Sequence, residues 1–154
     1  MKNFAILILL FIFTGCSNMK LDDYKDKKPI LKLEEYFHGK TVARGIFEDR
    51  FGNIKKSFKV FIDGTWDGQY LVLKEDFIYD DGSKDYREWK IEKDKNNPNA
   101  YSGFAEGVIG TASGFVSGNA FNWKYAFKLQ VGKNKINVKF DDWMFLQEEG
   151  YLIN

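Results

Sequence analysis

The chain has 154 residues, of which 44% are hydrophobic and 18% aromatic, and this supplies enough apolar material for one folded domain with a packed core. Its 23 lysines and arginines nearly balance its 22 aspartates and glutamates, and charges of both signs are interspersed. The balance excludes a strongly basic nucleic-acid-binding protein, and the composition excludes a chain that is disordered throughout.

Residues 1–15 have the organisation of a secretory signal peptide. Lys2 provides a positive charge, residues 4–13 form an apolar run, and two small residues precede the only cysteine, Cys16. The apolar run is shorter than the roughly 20 residues that a helix needs to span a bilayer. The pattern resembles the lipobox of bacterial lipoproteins, in which the cysteine is lipidated and becomes the first residue of the mature chain.

The resemblance implies acyl chains, palmitate among them, on the thiol and the amine of Cys16. Each buried CH2 contributes about 0.8 kcal/mol, so several chains hold a protein durably on a membrane. Ser17 follows the cysteine where an aspartate would resemble an inner-membrane retention signal. We therefore expect an outer-membrane lipoprotein that faces the periplasm. A plain secretory signal with an incidental cysteine is the alternative.

The mature chain begins with a polar segment, residues 16–29, that ends at a proline and is expected to form a tether between the lipid and the domain. The folded domain is expected to cover residues 30–154. Apolar residues in 30–39 have the spacing of a short helix that ends at Gly39.

From there on, apolar residues recur at every second position. The clearest case is the segment 120–131, in which six apolar residues from Phe121 to Val131 alternate with Ala, Asn, Lys and Gln, as in a half-buried strand. Strands without room for helices between them indicate an antiparallel meander. Closing such a meander protects its edges, so we expect an all-β fold, a small barrel or half-barrel with a short N-terminal helix.

Turn signals separate the predicted strands. They lie at residues 51–53, 63–64, 67–68, 81–82, 97–99, 118–119 and 132–133, and all but one contain glycine.

Several stretches resemble a family of uncharacterised lipocalin-like lipoproteins of Gram-negative bacteria, known as a domain of unknown function. They are GIFEDRFG (45–52), GTWDG (64–68), EDFIYDDG (75–82), GTASG with GNAFNW (within 110–123) and FDDWMFLQ (140–147). The resemblance implies the lipid anchor and a lipocalin-like barrel, and it implies no activity.

No motif indicates catalysis. The single histidine, His38, has no evident partner, no serine lies in a nucleophile elbow, and no His/Cys cluster has the spacing of a zinc site. We expect no enzymatic activity, no metal and no cofactor.

Three charged residues fall on the inward side of their strands. Glu75 shares the parity of its apolar neighbours, Asp142 does the same in a later strand, and Arg87 shares the inward parity of Trp89. A buried carboxylate is costly without a partner, and a guanidinium can satisfy either acid. Two interpretations remain open, a structural ion pair that closes the barrel and a polar anchor at the base of a pocket.

Aromatic residues are more numerous than a small filled barrel requires. Five of them on inward positions are expected to line a pocket: Phe77, Tyr79, Trp89, Trp123 and Tyr125. A stripe of small residues, Gly110, Ala112 and Gly114, either leaves space for an apolar ligand opposite these walls or allows the sheet to bend. A bulky, filled core is the alternative.

These observations favour a membrane-anchored lipoprotein that binds an apolar or amphipathic molecule inside the barrel, such as a fatty acid or a lipid fragment. The alternative is a structural or interaction protein of the cell envelope with a filled barrel. In that case Phe61 and Tyr70, on outward positions, are the expected contact residues. The sequence does not name a protein partner.

Overall fold

The computed structural model describes residues 19–48, 51–131 and 133–154. Nine strands account for most of these residues, and their order along the chain follows. They are β1 (Gly39–Glu48), β2 (Ile54–Trp66), β3 (Tyr70–Tyr79), β4 (Lys84–Lys93), β5 (Ala100–Ala105), β6 (Val108–Ser117), β7 (Ala120–Val131), β8 (Asn134–Leu146) and β9 (Leu152–Ile153).

All nine strands belong to one sheet in which each strand pairs antiparallel with the next along the chain. The sheet curls into a half-barrel with β1 and β9 at its two edges, which confirms the predicted all-β meander. Inward side chains of the curled sheet form a single hydrophobic core. The concave face is therefore the interior of the molecule, and the convex face is its outer surface.

The predicted strand 120–131 is β7, with the same bounds. It pairs along its whole length with β8, where Trp123 lies opposite Asp142 and Tyr125 opposite Phe140. Directly opposed residues of an antiparallel pair point to the same face, so both acidic and aromatic side chains of this pair of strands enter the concave face.

One predicted turn is wrong. Asp63 and Gly64 lie within β2, where Gly64 is opposite Leu73 of β3. A Cβ at Gly64 would lie 1.8 Å from the carbonyl oxygen of Phe37, so glycine is required here for close approach of another segment rather than for a turn. The sequence prediction also missed the short turn at residues 106–107 between β5 and β6. Gly132, in another predicted turn, lies outside the described residues.

The predicted short helix in 30–39 is a single turn, α1 (Leu33–Tyr36). It closes one end of the half-barrel, because Leu31, Leu33 and Phe37 enter the core with 1%, 2% and 9% of their surface exposed. The hydroxyl of Tyr36 accepts a hydrogen bond from the backbone N–H of Leu152 in β9, at 3.2 Å. We call this end, covered by α1, the closed end.

The segment before α1 lies on the sheet for part of its length. A 3-10 turn, Leu21–Tyr24, packs against outward aromatic side chains of β8. The chain then crosses the rim at Gly118, whose carbonyl accepts a hydrogen bond from the N–H of Leu31 at 2.8 Å. A Cβ at Gly118 would lie 1.9 Å from the carbonyl oxygen of Tyr24, and φ there is +56°. Part of the expected tether therefore belongs to the folded domain.

Candidate ligand-binding site

The concave face has two halves of different burial. Near α1 the inward residues are fully buried, as for Leu71 with 1% and Phe121 with 2% of their surface exposed. Toward the other end most inward residues are half-buried, because no segment covers that end in the described part of the chain. We call this second region the open half. Its inward residues include Phe58, Phe77, Tyr79, Arg87, Tyr125, Phe127 and Phe140.

One wall of the open half comes from β1, β2 and β3. The rings of Phe47 and Phe58 lie 4.9 Å apart, and Phe58 is 5.9 Å from Phe77. Phe77 and Tyr79 stack at 6.2 Å. These spacings are those of interacting aromatic pairs, so the wall is one continuous aromatic surface.

The opposite wall comes from β7 and β8. Tyr125 and Phe140 stack with their ring centres 4.9 Å apart, and Phe127 lies 6.4 Å from Phe140. Tyr125 also contacts Trp89 edge-on at 5.3 Å. This wall therefore continues into the core from the half-buried rings near the uncovered end of the half-barrel, which we call the mouth.

Arg87 lies between the two walls. Its guanidinium carbon is 5.0 Å from the ring centre of Phe77 and 5.8 Å from that of Phe127. The side chain is 28% exposed. Among the described residues it makes one ion pair, with Glu75, and donates no hydrogen bond. A guanidinium carries five N–H donors, so Arg87 presents unused donors in a half-buried aromatic setting.

Glu75 lies opposite Arg87 in the register of β3 and β4. Its Oε2 is 3.7 Å from Arg87 Nε, and its side chain is 14% exposed. Burial raises the pKa of Glu75 to about 7, although the charge of Arg87 acts in the opposite direction. The carboxyl therefore takes up a proton at a higher pH than an exposed glutamate does.

Asp142 reaches the same region from β8. Burial raises the pKa of Asp142, against the opposing effects of a hydrogen bond from Tyr125 and the charge of Arg87. Burial also raises the pKa of Tyr125, and the charge of Asp142 adds to that effect. Arg87 thus pairs with Glu75, and its charge also acts on Asp142 and Tyr125. The inward parity of Glu75, Arg87 and Asp142 predicts a guanidinium that can satisfy either acid, and the ion pair is made with Glu75.

The structure divides the five aromatic residues predicted to line a pocket. Tyr79 and Tyr125 are half-buried in the open half, and Phe77 is buried at its base. Trp89 and Trp123 are core residues with 5% and 4% exposed surface, packed edge to face at 5.7 Å. The two indoles therefore form the floor below the open half rather than its walls.

The stripe of small residues is not a single open surface. A Cβ at Gly114 would lie 2.7 Å from the indole of Trp123, and one at Gly103 would lie 3.0 Å from it. The indole thus occupies the space that small residues leave free. Gly110 is exposed in an irregular part of β6 with φ +73°, so it does not share the buried side of Ala112. The expectation of one common face was wrong for Gly110, because the register shift interrupts the alternation.

A second polar cluster lies at the closed end and was not predicted. Glu34 of α1 accepts hydrogen bonds from Lys93 and from the hydroxyl of Tyr101, the latter at 2.8 Å. Burial opposes ionisation of Glu34, but the hydrogen bonds from Lys93, the backbone and Tyr101 outweigh it and lower the pKa. The available signal was the inward parity of Lys93, which follows Trp89 and Ile91 on β4.

The sheet is incomplete beside Arg87. Residues 84–88 of β4 pair with β3, whereas pairing with β5 begins only at Trp89 opposite Ala105. A depression of about 350 Å³ lies there, lined by Tyr86, Arg87, Glu88, Lys90, Phe104 and Glu106. Arg87 therefore borders both the open half and this outer depression. A second depression, of about 510 Å³, lies beside α1 and is lined by Glu34, Glu35, His38 and Trp66.

Three further features are the predicted lipidation residue, a metal site and a membrane-spanning helix. Cys16, the predicted lipidation residue, lies outside the described residues. Within those residues, no three His, Cys, Asp or Glu side chains are grouped in a way that suits a metal ion. The described part of the chain also has no helix with the length and apolar character needed to cross a membrane.

The chain matches the model of one known family. Residues 10–154 match the family model described as "Protein of unknown function (DUF3833)", and the chain belongs to this family. No curated protein and no solved structure matches it.

Proposed function

We propose that this protein is a lipid-anchored envelope protein whose half-barrel binds an apolar or amphipathic small molecule in the open half. The apolar part of the ligand packs between the two aromatic walls. The polar part lies at Arg87, with Glu75 and Asp142 as the adjoining acids. The observation that carries this proposal is the half-exposed guanidinium between Phe77 and Phe127, with donors that no described residue uses.

The chemistry of the walls favours an apolar ligand. Ligand pockets are lined mainly by apolar and aromatic side chains, with few polar groups that fix orientation. The rings of Phe58, Tyr79, Tyr125 and Phe140 are half-buried, and they pack in two pairs, Phe58 with Tyr79 and Tyr125 with Phe140. Burying such apolar area contributes about 25 cal/mol per Å², so a chain laid along the walls supplies most of the affinity.

The anchor belongs to the same proposal. The lipobox-like sequence that ends at Cys16 supports acylation of that residue, and Ser17 supports the outer membrane of a Gram-negative cell as the location, with the domain in the periplasm.

A second function has its own support. The buried half of the concave face, near α1, is filled where Trp123 packs against Gly103 and Gly114, as a purely structural barrel requires. On the convex face Val42 and Phe61 lie opposite each other, 49% and 41% exposed, and present an apolar contact surface. Tyr70, the other residue expected there, is half-buried under the amine of Lys90 at 4.2 Å. In this alternative the protein binds another envelope component rather than a small molecule.

Native mass spectrometry of a soluble form that starts at Ser17, purified without detergent, separates the two functions. We expect a mass excess that disappears on organic extraction, and binding of fluorescent fatty-acid probes to the extracted protein. Arg87→Gln is expected to weaken probe binding, whereas Lys90→Gln, on the outward side of the same strand, leaves it unchanged. A bare mass together with no probe binding would leave only the interaction protein.

A further inference from the structure

A group of aromatic and apolar side chains lies on the convex face near the closed end. The ring of Tyr24 is 5.2 Å from Phe145 and 6.2 Å from Trp143, and those two rings stack on each other at 6.2 Å. Phe145 lies opposite Ile153 of β9, which is 56% exposed. Met19, 52% exposed, accepts a hydrogen bond from the Tyr24 hydroxyl through its sulfur. We call Met19, Tyr24, Trp143, Phe145 and Ile153 the convex aromatic patch.

The chain is fixed to the domain at this patch. The carbonyl oxygens of Tyr24 and Lys27 would lie 1.9 and 2.9 Å from a Cβ at Gly118, and Leu31 donates its N–H to the Gly118 carbonyl. Such close backbone approach is possible only over glycine. The segment from residue 21 onward is therefore part of the folded body.

The remaining distance to the predicted anchor is short. Cys16 precedes Leu21 by five positions, and five extended residues span at most about 17 Å. The strand β8 alone has 13 residues and a length of about 44 Å. A surface that holds Cys16 therefore lies close to the 3-10 turn and the closed end, and well away from the mouth of the open half.

The chemistry of the patch suits the interfacial region of a bilayer. Tryptophan and tyrosine are enriched where apolar chains meet head groups, because one end of each ring is apolar and the other forms hydrogen bonds. The exposed charges of residues 20–28 are four lysines (20, 25, 27, 28) and three aspartates (22, 23, 26). Their near balance makes apolar insertion, rather than charge attraction, the source of binding.

We propose that the convex aromatic patch lies against the bilayer that holds the acylated Cys16, so that the domain has one fixed orientation on the membrane. This inference rests on the lipid anchor proposed above, and it does not depend on whether the open half binds a ligand. The partner is the lipid surface itself, contacted by Trp143, Tyr24 and the neighbouring apolar side chains.

The test uses the full chain, processed in a bacterial host, purified in detergent and returned to phosphatidylcholine vesicles with or without brominated acyl chains. Bromine quenches tryptophan fluorescence at short range, and the chain has four tryptophans. We expect quenching of the wild type, and about a twofold or greater drop in quenching for Trp143→Phe, because Trp143 is the indole at the interface. Trp89→Phe, which removes a core indole with 5% of its surface exposed, retains the quenching.

A second variant tests the tether. An insertion of about 20 Gly and Ser residues between positions 18 and 19 lengthens the reach to more than the size of the patch and is expected to reduce quenching. Equal quenching of the wild type and Trp143→Phe would overturn the orientation.

Two further outcomes overturn the proposal for different reasons. The mass of each purified chain reports acylation, and a chain without acyl groups would remove both the anchor and the orientation. An acylated chain that elutes as a dimer and becomes monomeric with Trp143→Ser would place a second copy, rather than lipid, on the patch.

Discussion

Glu75 and Arg87 lie directly opposite each other on β3 and β4, yet their nearest charged atoms are 3.7 Å apart, beyond hydrogen-bond distance. The ion pair therefore lowers the cost of burying the carboxylate without removing it. This leaves Glu75 easy to protonate, and it leaves Arg87 with donors for another group. Both consequences are measurable.

Stability should depend on pH through Glu75. The unfolded chain releases this proton near the ordinary pKa of 4.5 and the folded chain near 7. Between those values the folded state holds the extra proton. The free energy of unfolding therefore falls by up to about 3 kcal/mol as pH rises from about 5 to 7, and above that pH this contribution is constant. Urea unfolding at pH 5 and pH 8 measures the difference.

Glu75→Gln should remove most of this pH dependence, because the amide has the same shape and does not titrate. Asp76→Asn, at the neighbouring exposed position, should retain it. A pH profile of Glu75→Gln that matches the wild type would assign the dependence to another group.

Ligand affinity should respond to the charge at position 87. If an amphipathic anion binds, Arg87→Gln should weaken it by about tenfold, the effect of losing one charge-assisted hydrogen bond of about 1.5 kcal/mol. A neutral long-chain alcohol should lose little. Titration of a fluorescent fatty acid and of its alcohol into both proteins checks this, and equal losses for the two ligands would contradict a head-group role for Arg87.

The alternation of apolar residues predicts the concave face well. It correctly indicated β7 and the inward positions of Glu75, Arg87 and Asp142, because strand geometry assigns faces by parity alone. The alternation did not distinguish the buried residues of the floor from the half-buried residues of the walls. Trp123 and Tyr125 share one parity, and only the position of α1, which buries one end of the sheet, makes the first a core residue and the second half-exposed.

Contacts between distant segments could not be predicted in this way. Asp63-Gly64 is a common turn pair, yet Gly64 is a strand residue because the Phe37 carbonyl approaches it. Similarly, Glu34 and Lys93 meet across 59 positions of sequence, and no local pattern relates them. Both cases depend on where α1 docks, which is a property of the assembled fold.

Gly64→Ala should displace α1 from the closed end. The new methyl group would overlap the Phe37 carbonyl, a backbone atom that cannot move alone, and overpacking of this kind costs about 2 kcal/mol or more. Thr65→Ala, exposed on the same strand, is the control. Hydrogen exchange of the amides in 33–37 measures the release of the helix. Unchanged protection together with unchanged stability would show that the end tolerates a Cβ.

The hydroxyl of Tyr101 should stabilise the fold through its hydrogen bond to Glu34. Tyr101→Phe removes a partly buried hydrogen bond to a carboxylate and should lower the free energy of unfolding by about 1–2 kcal/mol at pH 7. The loss should shrink as pH falls through the lowered pKa of Glu34, because the acceptor loses its charge. Tyr86→Phe removes a similar but exposed bond to Glu88, at 2.9 Å, and should cost less stability than Tyr101→Phe.

Truncation of Trp123 should affect stability more than ligand affinity. The indole is 4% exposed and packs against Gly103 and Gly114, so Trp123→Ala should cost about 3–5 kcal/mol in unfolding free energy. Tyr125→Ala, at the half-buried wall, should lower probe affinity at a smaller cost in stability. Chemical denaturation and probe titration of both variants compare the two effects. A larger loss of affinity for Trp123→Ala would return that residue to the wall of the site.

The N-terminal segment and α1 meet at the same end of the half-barrel, and this has a consequence for traffic of a bound molecule. If Cys16 is acylated and the convex aromatic patch lies on the bilayer, as proposed, the mouth opens toward the aqueous space and away from the bilayer that carries the protein. A ligand would then be exchanged with a soluble carrier or with the opposite membrane, and not extracted from the lipids underneath. The protein would stay fixed on its membrane, and its mouth would face the carrier or membrane that delivers the ligand.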